Sequence, residues 1–235
     1  MANEAAIVVG VGPGLGAALV RKFAGHGLEV LAVSRAATKL DCFAGQAASE
    51  RIHLYDCEAT DPDAVTAMFA HAAERLGPLR LAVFNAGAFV RGEVTETDPD
   101  DFERCWRVGA LAGFLVGQGA ASAMLEAGRG TIIFTGATAS LRGGAGFVNL
   151  ASPKFALRAI AQSLARELGP KNIHVAHVII DGQILSERYA HLEAERGPDS
   201  LLDPAAIAET YWHLHTQHRS AWTQELDLRP WAEKF

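Results

Sequence analysis

The chain has 235 residues, is 49% hydrophobic and carries a formal net charge of −6 at pH 7. That length suits one large α/β domain or two small ones, and the apolar content is enough to bury a real core. The absence of any basic run argues against nucleic acid as a partner. No apolar stretch is expected to reach the roughly 18 residues of a membrane span, and the N-terminus enters a strand too early to leave room for a signal peptide. Cys42, Cys57 and Cys105 are odd in number and form no CxxC pair, so they read as reduced thiols of a cytoplasmic protein. With no repeat, low-complexity segment or linker, residues 1–235 are read as a single domain.

Short apolar runs rich in β-branched residues predict strands over residues 5–9, 28–33, 52–55, 79–84, 131–134 and 174–180. Helical patterns alternate with them over 15–25, 62–76, 99–125 and 152–168. Asp61-Pro62 and Asp98-Pro99 read as an N-cap followed by a first-turn proline, and Gly77-Pro78 closes the helix before it. Strand alternating with helix predicts a three-layer α/β/α fold: a doubly wound parallel sheet whose ligand cleft lies at the carboxyl ends of the strands.

The first strand runs straight into Gly10-Val11-Gly12-Pro13-Gly14-Leu15-Gly16, and a helix starts there. Glycines at that turn let the backbone approach a diphosphate without a Cβ in the way, and the helix N-terminus faces the anion. Ser34-Arg35 follows the second strand. An acid at this position would hold the adenosine ribose hydroxyls, whereas an Arg accommodates a 2′-phosphate. Arg35 therefore favours NADP(H), with NAD(H) still possible; a solvated surface Arg is the other reading. After the fourth strand, Asn85-Ala86-Gly87 offers two small residues against which a ligand can lie, and an amide that can fix the turn.

In these motifs and their order the chain resembles the short-chain dehydrogenase/reductase family, which has a Rossmann-type fold and uses NAD(H) or NADP(H). Gly10, Gly14 and Gly16 match that family's glycine motif, with Val9 where it usually has Thr, and Asn85-Ala86-Gly87 matches its motif after the fourth strand. The resemblance implies that Glu58-Ala59 lies near the adenine and that Lys154 is the family's catalytic Lys. It implies also that Asp181-Gly182 replaces a Pro-Gly turn and that the backbone of Ile184 meets the nicotinamide carboxamide.

The resemblance fails at the chemistry. The family's Tyr lies four residues before its Lys, where this chain has Leu150; the family's Ser aligns with Ala137 and its Asn with Gly109. A Tyr seven residues before the Lys, as in some enoyl reductases, is excluded by Phe147. A positioned general acid is typically worth about 10²–10⁴ in rate. Thr138 and Ser140 offer hydroxyls after the fifth strand, and Tyr189 and Asp181 follow the sixth. Thr138 and Tyr189 are the candidates retained beside Lys154. Asp181 could serve only if burial raised its pKa.

The polar segment 183–202 is expected to be a lid over the substrate, and another helix is expected from Asp203-Pro204 to about His218. His213, His215 and His218 form no metal-binding pattern, and no metal is expected. Trp222, Leu226, Leu228 and Trp231 are expected to serve packing or subunit contacts. These readings together point to an NADP(H)-dependent oxidoreductase with an altered active site, acting on a small carbonyl, alcohol or unsaturated compound. The expected setting is a cytoplasmic homodimer or homotetramer with no membrane partner. The rival reading is a non-catalytic NADP(H)-binding protein, a sensor or partner subunit.

Overall fold

The computed structural model describes residues 4–43 and 49–233. The six apolar runs and residues 225–228 form seven parallel strands: β1 (Ala5–Val9), β2 (Glu29–Ser34), β3 (Ile52–Asp56), β4 (Leu79–Phe84), β5 (Gly130–Thr135), β6 (Ile173–Ile180) and β7 (Glu225–Leu228). They lie in the order β3-β2-β1-β4-β5-β6-β7. The order reverses between β1 and β4, and a doubly wound sheet opens its ligand crevice at that reversal.

Every residue of β1 and of β6 is buried, because both faces of the sheet are covered. Ile7, Phe84, Phe134 and Val175 face helices α2 (Pro62–Arg75), α4 (Ala112–Ala127) and α5 (Val148–Leu168). Val8, Val83, Ile133 and Val178 face α1 (Leu15–Gly25) and α7 (Pro204–Thr216). This is the three-layer arrangement that the alternating pattern predicts, built as a single domain.

The proline starts behave as read. Asp61 and Asp98 accept from the backbone N–H of Asp63 and Asp100 at 2.9 and 2.8 Å, and Asp203 caps α7 in the same way through Ala205 N–H at 2.8 Å. Elsewhere the structure departs from the sequence reading. The long fourth pattern is α3 (Pro99–Trp106) joined to α4 by a π-helical turn, Arg107–Leu111. Its residues Pro99–Ala127 hold a window of mean hydropathy 1.5, long and apolar enough to cross a membrane, which corrects the expectation that no such stretch exists. The apolar character has a local cause: Val116, Ala120 and Met124 are buried in the core between α4 and the sheet. Helix α5 begins at Val148 rather than residue 152, which takes Leu150 into its first turn. The sequence 225–228 makes a seventh strand where only packing was expected.

The segment after β6 is pinned at its base. Leu185 N–H donates to Leu202 C=O and Leu202 N–H to Gln183 C=O, both at 2.9 Å, and a short helix α6 (Ala190–Arg196) lies between.

The crowding that sets the crevice is sharpest at Gly10. Its φ is +96°, and a Cβ there would stand 2.7 Å from the Ala86 Cα. We predict that Gly10→Ala costs on the order of 2 kcal/mol or more of folding stability in urea unfolding. Gly12→Ala, facing open space, is predicted to leave the urea midpoint nearly unchanged.

Candidate cofactor and active site

The site starts where β1 ends. Gly10 and Val11 N–H both donate to Val33 C=O, at 2.9 and 3.0 Å, which folds the turn onto the end of β2. Asn85 stitches it to β4: its N–H reaches Val9 C=O at 2.8 Å and its Nδ2 reaches Gly10 C=O at 3.0 Å. A Cβ on Gly16 would lie 2.7 Å from the Val11 Cα, so this glycine lets α1 pack on the turn. Gly12 and Gly14, by contrast, face open space. Helix α1 begins after Gly14 with no side-chain cap and no acid in its first turn. Its free N–H groups and positive dipole end are therefore available to an anion.

A cleft of about 330 Å³ extends from this turn. Of the residues read as cofactor-binding, Gly10, Gly12, Ser34, Arg35, Glu58, Ala59, Asn85, Ala86 and Gly87 line it, whereas Gly14 and Gly16 line neither this cleft nor the cavity beside it. Arg35 is exposed at the cleft and makes no hydrogen bond or ion pair among the described residues. The Ser34 hydroxyl accepts from Ala36 N–H at 3.3 Å, and Glu58 is turned into its own loop, accepting from the Thr60 hydroxyl at 2.9 Å. Cys57, Arg104 and Val108 also line the cleft. Sequence reasoning missed these three: Arg104 and Val108 because α3 and the π turn reach the cleft only through tertiary packing, and Cys57 although it directly precedes Glu58 after β3. Burial pushes the Cys57 thiol up to about 11, so it is an inert wall.

A second cavity of about 340 Å³ adjoins through Asn85, which lines both. Leu15, Lys154, Gly182 and Ile184 line it as read, together with Thr135, Ala137 and Gln183. Lys154 is 7% exposed, and its Nζ donates to Thr135 C=O at 2.7 Å. Burial pulls its ammonium down to about 8. Among the residues lining this cavity it is the one titratable side chain.

The other candidates lie elsewhere. The Thr138 hydroxyl donates to Asp181, whose second oxygen accepts from Arg229. Neither Thr138 nor Asp181 is among the lining residues of either cavity. Tyr189 is half-buried on the turn Glu187–Tyr189, with the Arg188 guanidinium 5.3 Å from its ring centroid, and it too is absent from both linings. The Ser140 hydroxyl is buried and accepts from Ala137 N–H at 3.1 Å. Gly109 lies in the π turn, where a Cβ would stand 2.8 Å from the Pro153 Cβ, so the α5 proline occupies the room a side chain would need.

A doubly wound parallel α/β sheet with a glycine turn, a bare helix N-terminus and a buried lysine beside the crevice is a Rossmann-type fold. The chain belongs to the short-chain dehydrogenase family, whose model matches residues 4–197. It is 31% identical over 191 residues to a trans-4-hydroxycyclohexanecarboxylate dehydrogenase of Sinomonas cyclohexanicum, spanning 76% of this chain and 71% of that one. It is 29% identical over 229 residues to a versicolorin reductase of Emericella nidulans, spanning 96% and 83%. Among solved structures, a short-chain dehydrogenase from Rhodopseudomonas palustris superposes with a TM-score of 0.84 at 41% identity, covering 98% of this chain and all of that one. ElxO with NADP bound shares the fold at 19% identity, with a TM-score of 0.87 and coverage of 97% and 98%.

Lys154 generates a prediction of definite sign. Its folded value lies below the ordinary 10.5, so the unfolded chain holds this proton more tightly. Below about pH 8 the folded protein is penalised for the buried charge. The penalty fades as pH rises from about 8 toward 10.5. Lys154→Met in the ligand-free chain is therefore expected to gain up to about 3 kcal/mol at pH 7, with the gain shrinking in urea unfolding near pH 10 while the gain at pH 7 persists.

Proposed function

We propose that this chain is an NADP(H)-dependent oxidoreductase with an altered active site, acting on a small carbonyl, alcohol or unsaturated compound. The observation that carries this reading is Arg35, a guanidinium with no described partner on a cleft continuous with the glycine turn. The pocket fits such a dinucleotide. Gly12 and Gly14 leave the space a diphosphate needs, Ser34 and Arg35 would receive a 2′-phosphate, and Glu58-Ala59 would border the adenine. Asn85-Ala86-Gly87 would lie along the ribose side, Lys154 Nζ would meet the nicotinamide ribose, and the Ile184 backbone would meet the carboxamide. NADP is held by ElxO, a protein of the same fold. Bound there, the dinucleotide would supply a hydride to a carbonyl or unsaturated compound, or accept one from an alcohol.

The chain's own residues must then manage a proton. Leu150 and Ala137 bring no hydroxyl, and the Thr138 hydroxyl is spent on Asp181. Lys154 Nζ is the group in this cavity able to hold or release one. Losing a positioned Tyr removes about 10²–10⁴ in rate, yet alignment of reactants can be worth more than that. The same absence of a free hydroxyl favours the second reading, a nucleotide-binding sensor or partner subunit without turnover.

We propose further a cytoplasmic homodimer or homotetramer. Trp106, Phe114 and Leu125 on the long α3–α4 unit and Phe155 on α5 are large apolar side chains left exposed, which suits packing of these helices against a second copy.

Titration of the chain with NADPH and NADH, read by nicotinamide fluorescence, tests the cofactor reading. NADPH is expected to bind at least tenfold more tightly, and Arg35→Asp is expected to erase that preference. Absence of binding by either at millimolar concentration overturns both readings. Consumption of NADPH with a panel of carbonyls and enones then decides between them: turnover with any member supports the oxidoreductase, and none, with binding intact, supports the sensor.

A further inference from the structure

We propose that Arg229 is a positioning residue for the nicotinamide end of the cofactor site, acting through Asp181. The inference rests on the cofactor reading above and goes beyond it by assigning a role to a C-terminal residue that lines neither cavity.

Asp181 follows β6 and is 4% exposed. One carboxylate oxygen accepts from the Thr138 hydroxyl, just past β5, and the other from Arg229 Nη2, just past β7. Asp181 N–H in turn donates to Leu228 C=O at 2.8 Å. A single carboxylate thus ties together the ends of three neighbouring strands. Arg229 also reaches the Asp227 carboxylate at 3.4 Å. The next residue continues the contact: a Cβ on Gly182 would stand 2.7 Å from Pro230 Cδ, so the tail's ring lies directly on that turn.

Two of the tied residues, Thr138 and Asp181, adjoin residues that line the second cavity. Ala137, which precedes Thr138, lines one side, and Gly182 and Gln183, which follow Asp181, line the other. The separation between these walls is therefore set by the carboxylate and the guanidinium that neutralises it. The first cleft takes its lining from β1, β2, β3, β4 and the α3–α4 unit, outside the reach of this clamp. Loosening the clamp should disturb the nicotinamide half of the site and spare the adenosine half. A buried ion pair is weak evidence for stability taken alone, so the distinguishing property is this asymmetry between the two halves.

The test uses the full chain and two probes: NADPH, and adenosine 2′,5′-bisphosphate, which carries the adenosine half without nicotinamide. Arg229→Gln is expected to weaken NADPH at least tenfold and to leave the bisphosphate within about twofold, with Arg229→Lys recovering much of the loss. Thermal unfolding of each variant fixes a temperature at which it is folded. Should Arg229→Gln not fold, Thr138→Val, which leaves the ion pair in place, is expected to give the same asymmetry at about threefold. Equal weakening of both probes, or no change in NADPH affinity in the folded variants, overturns the proposal. Failure of the unsubstituted chain to bind either probe overturns the cofactor reading itself, and this inference with it.

Discussion

The close passage of backbone over backbone at Gly10 governs the rest of this molecule. The turn leaving β1 lies against the end of β4 with Ala86 where a side chain would be, and Asn85 spans the gap from both its main chain and its amide. Because β1 and β4 are the pair at which the strand order reverses, this contact sits at the mouth of the crevice. It delivers the N-terminus of α1, the Arg35 rim and the Asn85 shelf to one cleft. Any residue larger than glycine would push apart the two strands that define the site.

Two cations, Arg35 in that cleft and Lys154 in the adjoining cavity, differ in what they cost the fold. Arg35 is exposed and keeps its hydration until a ligand arrives, so holding it ready costs little. Lys154 is different: it is buried with a carbonyl for a partner and, among the described residues, no carboxylate on its amine. A buried ammonium hydrogen-bonded to a neutral acceptor is held at the expense of the fold. Sites that break a local rule in this way are commonly where function resides. The stored penalty also explains how a ligand offering further acceptors to Nζ would stabilise the folded chain.

Two local arrangements beside the second cavity are fixed by packing and hydrogen bonding. Gly109 has no side chain, and the Pro153 ring takes the adjacent room. Asp181 brings a carboxylate into a buried turn, and Thr138 and Arg229 satisfy it from the two neighbouring strand ends. A polar side chain placed at Gly109 would meet a ring already seated there. The family thus supplies the scaffold and the nucleotide cradle, while the chemistry belongs to the particular side chains grafted on it.

Much of this was legible in the chain itself. Strands buried on both faces announce themselves as unbroken apolar runs, and the glycine turn, the aspartate–proline helix starts and the Arg after β2 are local signals with local causes. The cleft-lining residues from Gly10 to Gly87 follow from those signals because each sits at the end of a strand that the pattern identifies. The seventh strand stayed hidden because Glu225–Leu228 is four residues long and alternates in polarity; it becomes a strand by pairing with β6. The apolar length of the α3–α4 unit, the π turn within it and the start of α5 at Val148 likewise answer to what they pack against. The partners of Thr138, Asp181 and Lys154 lie 43, 48 and 19 residues away in the chain. Nothing in a local pattern says which distant group a hydroxyl, carboxylate or amine will meet, so only the folded arrangement decided which of the candidate proton carriers faces the cavity.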